Sequence, residues 1–148
     1  MEKSPKKSKE REVNASLGNP RFTLTKLTKD RVPALPFLLL KEKVLGKKYA
    51  LSLVTVGDAR SRTLNETYRK KTYIPNVLSF PISDTQGEIF LNLKQARREH
   101  RKRGESYDYF VALLFIHSML HLIGYRHGST MEGIEHKHLL RFNITNTF

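Results

Sequence analysis

Apolar and polar residues alternate at Phe22, Leu24 and Lys26, which predicts a short first strand. Helical spacing follows over Ala34–Leu45, opened by Pro33 or Pro36 and closed by Gly46. Tyr49–Val56 is an apolar, β-branched run, the pattern of a strand in the middle of a sheet. Gly57 and Asp58 then supply a turn and an N-cap for a helix through Arg69 that presents Leu64, Asn65 and Tyr68. Val77–Ile82 and Glu88–Leu93 read as two more strands around a loop holding Pro81, Asp84 and Gly87. Residues 92–103 are predicted helical, residues 107–123 form the most apolar helix, stopped by Gly124, and a last helix covers Thr130–Phe142. The pattern predicts an α+β fold, a small mixed four-stranded sheet packed with about five helices.

Ahead of Arg21 there is almost nothing to bury. Residues 1–20 are rich in Lys, Glu and Ser and are expected to be a basic, disordered tail, leaving 21–148 as a single domain. The whole chain of 148 residues is long enough for one core and too short for two. Charge sharpens the picture, because 27 Lys and Arg stand against 14 Asp and Glu, a net +13. The tail explains only +2 of it, from Lys3, Lys6, Lys7, Lys9 and Arg11 against Glu2, Glu10 and Glu12. The folded part is therefore the basic part, and an acidic partner is expected. The absence of cysteine excludes disulfides, thiolate metal sites and cysteine nucleophiles, and suits a reducing compartment. The longest apolar run is Phe110–Ile116, and nothing near the start resembles a signal peptide, so a cytoplasmic protein without membrane insertion is expected.

The chemistry concentrates in residues 117–127, which run His117-Ser-Met-Leu-His121-Leu-Ile-Gly124-Tyr-Arg-His127. Histidines four apart on a helix sit about 40° apart around its axis, so both imidazoles can reach one ion. Gly124 can take the left-handed conformation that ends the helix, which lets His127 add a third nitrogen from outside it. Three nitrogens leave one position open for water, the arrangement of a catalytic rather than a structural zinc site. One ion accounts for three histidines that would otherwise each need a separate partner in an apolar helix. His100, His136 and His138 lack such spacing and read as surface or packing residues.

The HxxxHxxGxxH spacing is that of the metzincin proteases, so the helix is a metzincin-like zinc helix. There a glutamate follows the first histidine as general base, whereas here the residue is Ser118. Proteolysis by the usual route is disfavoured, and zinc-bound water acting on another electrophile such as a phosphodiester stays open. The same residues resemble the YbeY family of bacterial rRNA-maturation endoribonucleases, whose signature is His-Gly-x-x-His-Leu-x-Gly-x-Asp-His. Leu64-Asn65-Glu66-Thr67-Tyr68-Arg69 is similar to the family's Leu-Asn-x-x-Tyr-Arg. Pro75-Asn76-Val77-Leu78-Ser79-Phe80-Pro81 and Gly87-Glu88-Ile89 resemble two further motifs, in the family's order. The resemblance covers about residues 50–140. There are three departures from it: Ser118 stands for glycine, Arg126 for an acidic residue, and Ile74-Pro75-Asn76 for Pro-Thr-Asp/Asn.

The resemblance implies a small mixed sheet with helices packed on it and one Zn²⁺ per chain, held by His117, His121 and His127. It implies single-strand-specific RNA cleavage in 16S rRNA 3′-end maturation and ribosome quality control. The expected partners are rRNA, the small ribosomal subunit and its assembly factors, with no DNA. Arg69 matches a family arginine implicated in activity, and a guanidinium near a metal can bind a phosphate bidentately. Read alone, Arg69-Lys70-Lys71 is equally a solvated basic helix end. Lys94, Arg97, Arg98, Arg101 and Lys102 fall on one stripe of the predicted helix and are expected to bind RNA phosphates. A non-catalytic, zinc-containing ribosome-assembly module is the alternative, motivated by Arg126 and the missing glutamate.

Overall fold

In the computed structural model, which describes residues 21–148, the apolar run ahead of Gly57 becomes an inner strand of a four-stranded sheet. The tail expected over residues 1–20 lies outside the described residues. The elements are β1 (Phe22–Lys26), α1 (Phe37–Leu45), β2 (Ala50–Thr55), α2 (Asp58–Arg69), β3 (Val77–Ser83), β4 (Gln86–Leu91), α3 (Leu93–Glu99), α4 (Tyr107–Leu122) and α5 (Ser129–Arg141). Strand order is β1-β2-β4-β3, with β1, β2 and β4 parallel and β3 antiparallel to β4 at the edge. The sheet is mixed and five helices pack around it, the α+β fold expected.

Successive residues of a strand point to opposite faces, and the core divides accordingly. Leu53 and Ile89 face the larger cluster, with Phe115, Ile116 and Met119 of α4. Val54 and Phe90 face the other way, into a smaller cluster with Val56, Leu64 of α2 and Leu78. The sheet is thus covered by α4 on one side and α2 on the other, and each brings one end to the functional site. Helix α4 is apolar around its whole circumference and buried along most of its length, as its sequence demands.

Several boundaries differ from expectation for local reasons. Helix α1 starts at Phe37, not Ala34, because a residue before proline is driven out of the helical region, and Pro36 is the cap. Pro81 lies inside β3, paired opposite Gly87, rather than in a loop. An edge strand tolerates its missing N–H, and the register shifts just beyond it, between Pro81 and Ser83. Strand β4 stops at Leu91 because the Asn92 side chain caps α3, accepting from the Gln95 amide at 3.1 Å. Helix α3 ends at Glu99 instead of continuing to residue 103. Its crowded cations disfavour further turns, and the buried His100 ring donates instead to the Glu105 carbonyl at 2.8 Å.

Asp58 is the first residue of α2 rather than its N-cap, and its carboxylate binds outward. It accepts from both terminal nitrogens of Arg98, at 3.1 and 2.6 Å, and from Asn92 at 3.0 Å. Those bonds, Arg98 foremost, hold its pKa down at about 2. A carboxylate depressed in the folded state stabilises above its ordinary pKa and loses that contribution as pH falls toward 2. With side chains 30% and 47% exposed, solvent screening keeps the effect small. Asp58→Asn is expected to cost about 1 kcal/mol by urea denaturation at pH 7, a deficit that closes in acid.

Gly87, next to Glu88 and Ile89 on β4, is where α4 meets the sheet. A Cβ there would lie 2.5 Å from the Tyr49 hydroxyl and 2.9 Å from Leu122. Gly87→Ala should therefore lower stability by about 1–3 kcal/mol in a thermal melt, the cost of overpacking a filled core. Among the described residues no helix is long and apolar enough to cross a membrane.

Candidate metal centre and its cavity

Ser106 caps α4, accepting from the Tyr109 amide at 3.3 Å, and the helix then delivers His117 and His121 on one face of its last two turns. Gly124 takes the left-handed conformation at φ 100°, and the Tyr125 amide bonds back to the Leu120 carbonyl at 3.1 Å. This closure returns the chain over the helix end. His127 follows on that return, and Gly128, at φ 151°, starts α5 back along α4. The three rings converge, with centroids 4.5, 4.6 and 4.9 Å apart. One nitrogen from each lies within 4.8 Å of the others.

The hydrogen bonds decide which nitrogens are free. His117 Nδ1 donates to Glu135 Oε2 at 2.5 Å, and His121 Nδ1 donates to the Tyr125 carbonyl at 2.9 Å. In the neutral ring a proton on Nδ1 leaves Nε2 as a bare acceptor. The two Nε2 atoms face each other at 3.0 Å. Burial first, and the neighbouring imidazoles His117 and His127, push the His121 pKa below its ordinary value, while the Tyr125 carbonyl opposes them. The uncharged, ligand-competent form is thereby favoured. Ligands on a tetrahedral zinc sit about 3.3 Å apart, so the donor set fits a divalent cation. The three histidines could hold a metal ion.

Around them opens a cavity of about 670 Å³. Arg69 reaches it from the end of α2, its Nη1 donating to Asn65 Oδ1 and the Tyr73 hydroxyl, each at 3.4 Å. Ser118 also lines it, buried, with a hydroxyl that has no partner among the described residues. Arg126 is exposed and is not part of the wall. The acidic groups come from α5, as Glu132 and Glu135.

Sequence reasoning missed Glu135, and the signal was available. Met131, Glu135 and Leu139 form the buried stripe of α5, so an acid occupies a core position. A buried carboxylate needs a partner, and among the described residues His117 supplies it. Replacing such an orienting group costs about 10–100-fold in metal affinity, the loss expected for Glu135→Ala by calorimetric titration.

The five cations expected to form one helical stripe do not. Arg101 and Lys102 lie beyond the end of α3, in the turn that follows. Arg98 is committed to Asp58, and the Arg97 guanidinium lies 4.4 Å from the centre of the Tyr107 ring. None of the five, Lys94 included, lines the cavity, whereas Arg103 does. His100 packs edge-on against Tyr107, His136 is exposed, and His138 is half-buried.

Fold and site together define a small α+β protein with a candidate three-histidine metal centre in the wall of a cavity that also holds arginine. A family model described as endoribonuclease YbeY matches residues 18–143, and the chain belongs to that family. A Nitratiruptor endoribonuclease YbeY is 37% identical over 101 residues, covering 64% of this chain and 70% of the relative. That of Helicobacter pylori strain J99 is 38% identical over 97 residues, covering 62% and 69%. The match to the Mycoplasma mycoides protein, 35% identical, spans 57% of that relative's length and 55% of this chain. The solution structure of TM1509 from Thermotoga maritima shares the fold, with a TM-score of 0.52 at 22% identity over 70% of this chain and 76% of that one. The names of the relatives support a nuclease acting on RNA.

Proposed function

We propose that this protein is a zinc-dependent, single-strand-specific endoribonuclease in which His117, His121 and His127 hold one Zn²⁺ and Arg69 binds the scissile phosphate. The observation that carries this reading is the convergence of the His117, His121 and His127 rings, with two Nε2 atoms 3.0 Å apart, in the cavity that Arg69 enters. An all-imidazole donor set suits zinc. When bound, such an ion polarises a phosphoryl oxygen and acidifies water.

The chain's own groups supply binding and orientation. Asn65 and Tyr73 hold one nitrogen of Arg69, leaving the other side of its fork for a phosphate oxygen. Glu135 fixes the His117 ring with its proton on Nδ1. Glu132 adds a second, exposed carboxylate to the cavity wall, and the group that takes up the proton is left unassigned. Lys94, Arg97, Arg101 and Lys102 are exposed cations that contact phosphates outside the cavity, with Arg98 held back by Asp58.

Within this reading the substrate is ribosomal RNA at the 3′ end of 16S rRNA, met in the cytoplasm on the small subunit with its assembly factors. Family membership and the net charge of +13 support it. The domain that does the work is residues 21–148, with residues 1–20 as an appended basic tail. The test is to incubate the full chain with single-stranded and duplex rRNA fragments, with and without chelator. Cuts confined to the single strand and lost on chelation are expected. Equal cutting of both forms would remove the strand specificity, and cutting that survives chelation would remove the metal.

A further inference from the structure

The cavity extends away from the histidines along α4. Phe110, Leu113, Leu114 and His117 line it in succession, and Phe110 precedes His117 by seven residues, about 10 Å along the helix axis. At that far end stands Arg103, which no sequence motif singles out. Its guanidinium lies 4.7 Å from the centre of the Phe110 ring, and its Nε donates to Glu105 Oε1 at 2.8 Å. Both terminal nitrogens are left without a partner among the described residues, on a side chain that is 48% exposed.

The loop that carries it is held in place. The Arg103 amide bonds back to the Glu99 and His100 carbonyls, at 3.3 and 3.2 Å. Asn146, near the C-terminus, donates to the Gly104 carbonyl and accepts from the Ser106 amide, each at 2.9 Å. Stacking and the single ion pair hold the guanidinium plane fixed and leave the two-nitrogen edge free. That edge matches the two oxygens of a phosphodiester, and pre-ordering it reduces the entropy lost on binding.

We propose that Arg103 forms a second phosphate subsite, gripping a phosphodiester that flanks the one at the metal centre, with the apolar wall of Leu113 and Leu114 between the two. The identity of the strand rests on the nuclease reading above. The subsite makes the protein prefer a strand continuing past the cleavage point over a substrate with a single phosphodiester.

The test compares wild type, Arg103→Gln and Glu105→Gln in the full chain. Single-stranded oligoribonucleotides of increasing length are cleaved by the metal-loaded protein, and their affinity for metal-stripped protein is measured against salt. Arg103→Gln should raise KM on long strands about tenfold and lose the preference for them over a dinucleotide. Its binding should depend on salt with a slope shallower by about one. Glu105→Gln, whose amide oxygen can still accept from Nε while a negative charge beside the subsite is removed, should bind at least as tightly as wild type. The inference is overturned by an Arg103→Gln protein with wild-type KM and salt slope, or by wild type that binds no RNA. It is equally overturned if Glu105→Gln weakens binding as much as Arg103→Gln does, because the arginine would then be holding its loop. Wild type that binds RNA and cuts none would defeat the nuclease reading alone, and the salt slope would still decide on Arg103.

Discussion

His121→Ala is expected to lose bound zinc and to cut RNA about 10³-fold more slowly, the rate equivalent of the several kcal/mol that a metal contributes. The variant should fold. His121 sits half-buried on the last turns of α4, and its ring makes one hydrogen bond to the main chain, from Nδ1 to the Tyr125 carbonyl at 2.9 Å. Loss of that bond costs about 1 kcal/mol, so the metal-free variant is expected to melt only a few degrees below metal-free wild type. The two should separate on adding zinc, which stabilises a protein only to the extent that it binds the native state more tightly than the unfolded one. Wild type should gain several degrees and the variant none. Zinc content by elemental analysis, paired melts and a cleavage time course are the measurements. A variant that keeps its zinc would mean that the histidines are not its ligands.

Arg69→Ala carries the second large effect. A guanidinium whose fork meets developing charge contributes about 10²–10³ in rate, so kcat/KM should fall by that factor while zinc content stays at the wild-type level. Arg69→Lys should recover little, because an ammonium cannot supply two parallel N–H bonds to one phosphate. The retained zinc separates this result from loss of the metal centre. A wild-type rate in Arg69→Ala would leave Arg69 as a solvated helix end beside Lys70 and Lys71.

The individual elements are set largely by local pattern, which is why so many of them could be read from residue order. The run before Gly57 could bury both faces, the α4 segment was apolar at every angle, and Gly124 marked the turn that the His127 position requires. The errors arise where tertiary structure overrides local pattern. Pro81 pairs in a ladder because β3 is the edge strand, and edge position is a property of the whole sheet. Helix α3 stops at Glu99 because the His100 ring turns into the core toward the Glu105 carbonyl, which helical spacing alone does not show. With that helix shortened, the five-cation stripe breaks up and Arg103 takes the place inside the cavity.

The site shows the same division. Three histidines at their spacing were legible because one helix and one glycine turn hold them all. Glu135 reaches His117 across 18 positions of sequence, through a turn at Gly128 that sets the direction of α5. Its buried position between Met131 and Leu139 is readable, but its partner depends on how α5 packs on α4. Arg126, which occupies the acidic position of the family signature, is exposed and does not line the cavity, and the carboxylate at the metal centre comes from α5 instead.

The central claim is that RNA cleavage depends on one metal ion held by three histidines. The direct measurement is a titration of metal-stripped full-length protein with zinc while single-stranded RNA cleavage is followed. Activity should rise linearly with added zinc and level off at one ion per chain, with His121→Ala flat throughout. Cleavage already complete in the stripped protein, or zinc bound at one per chain with no cleavage at any concentration, would contradict it.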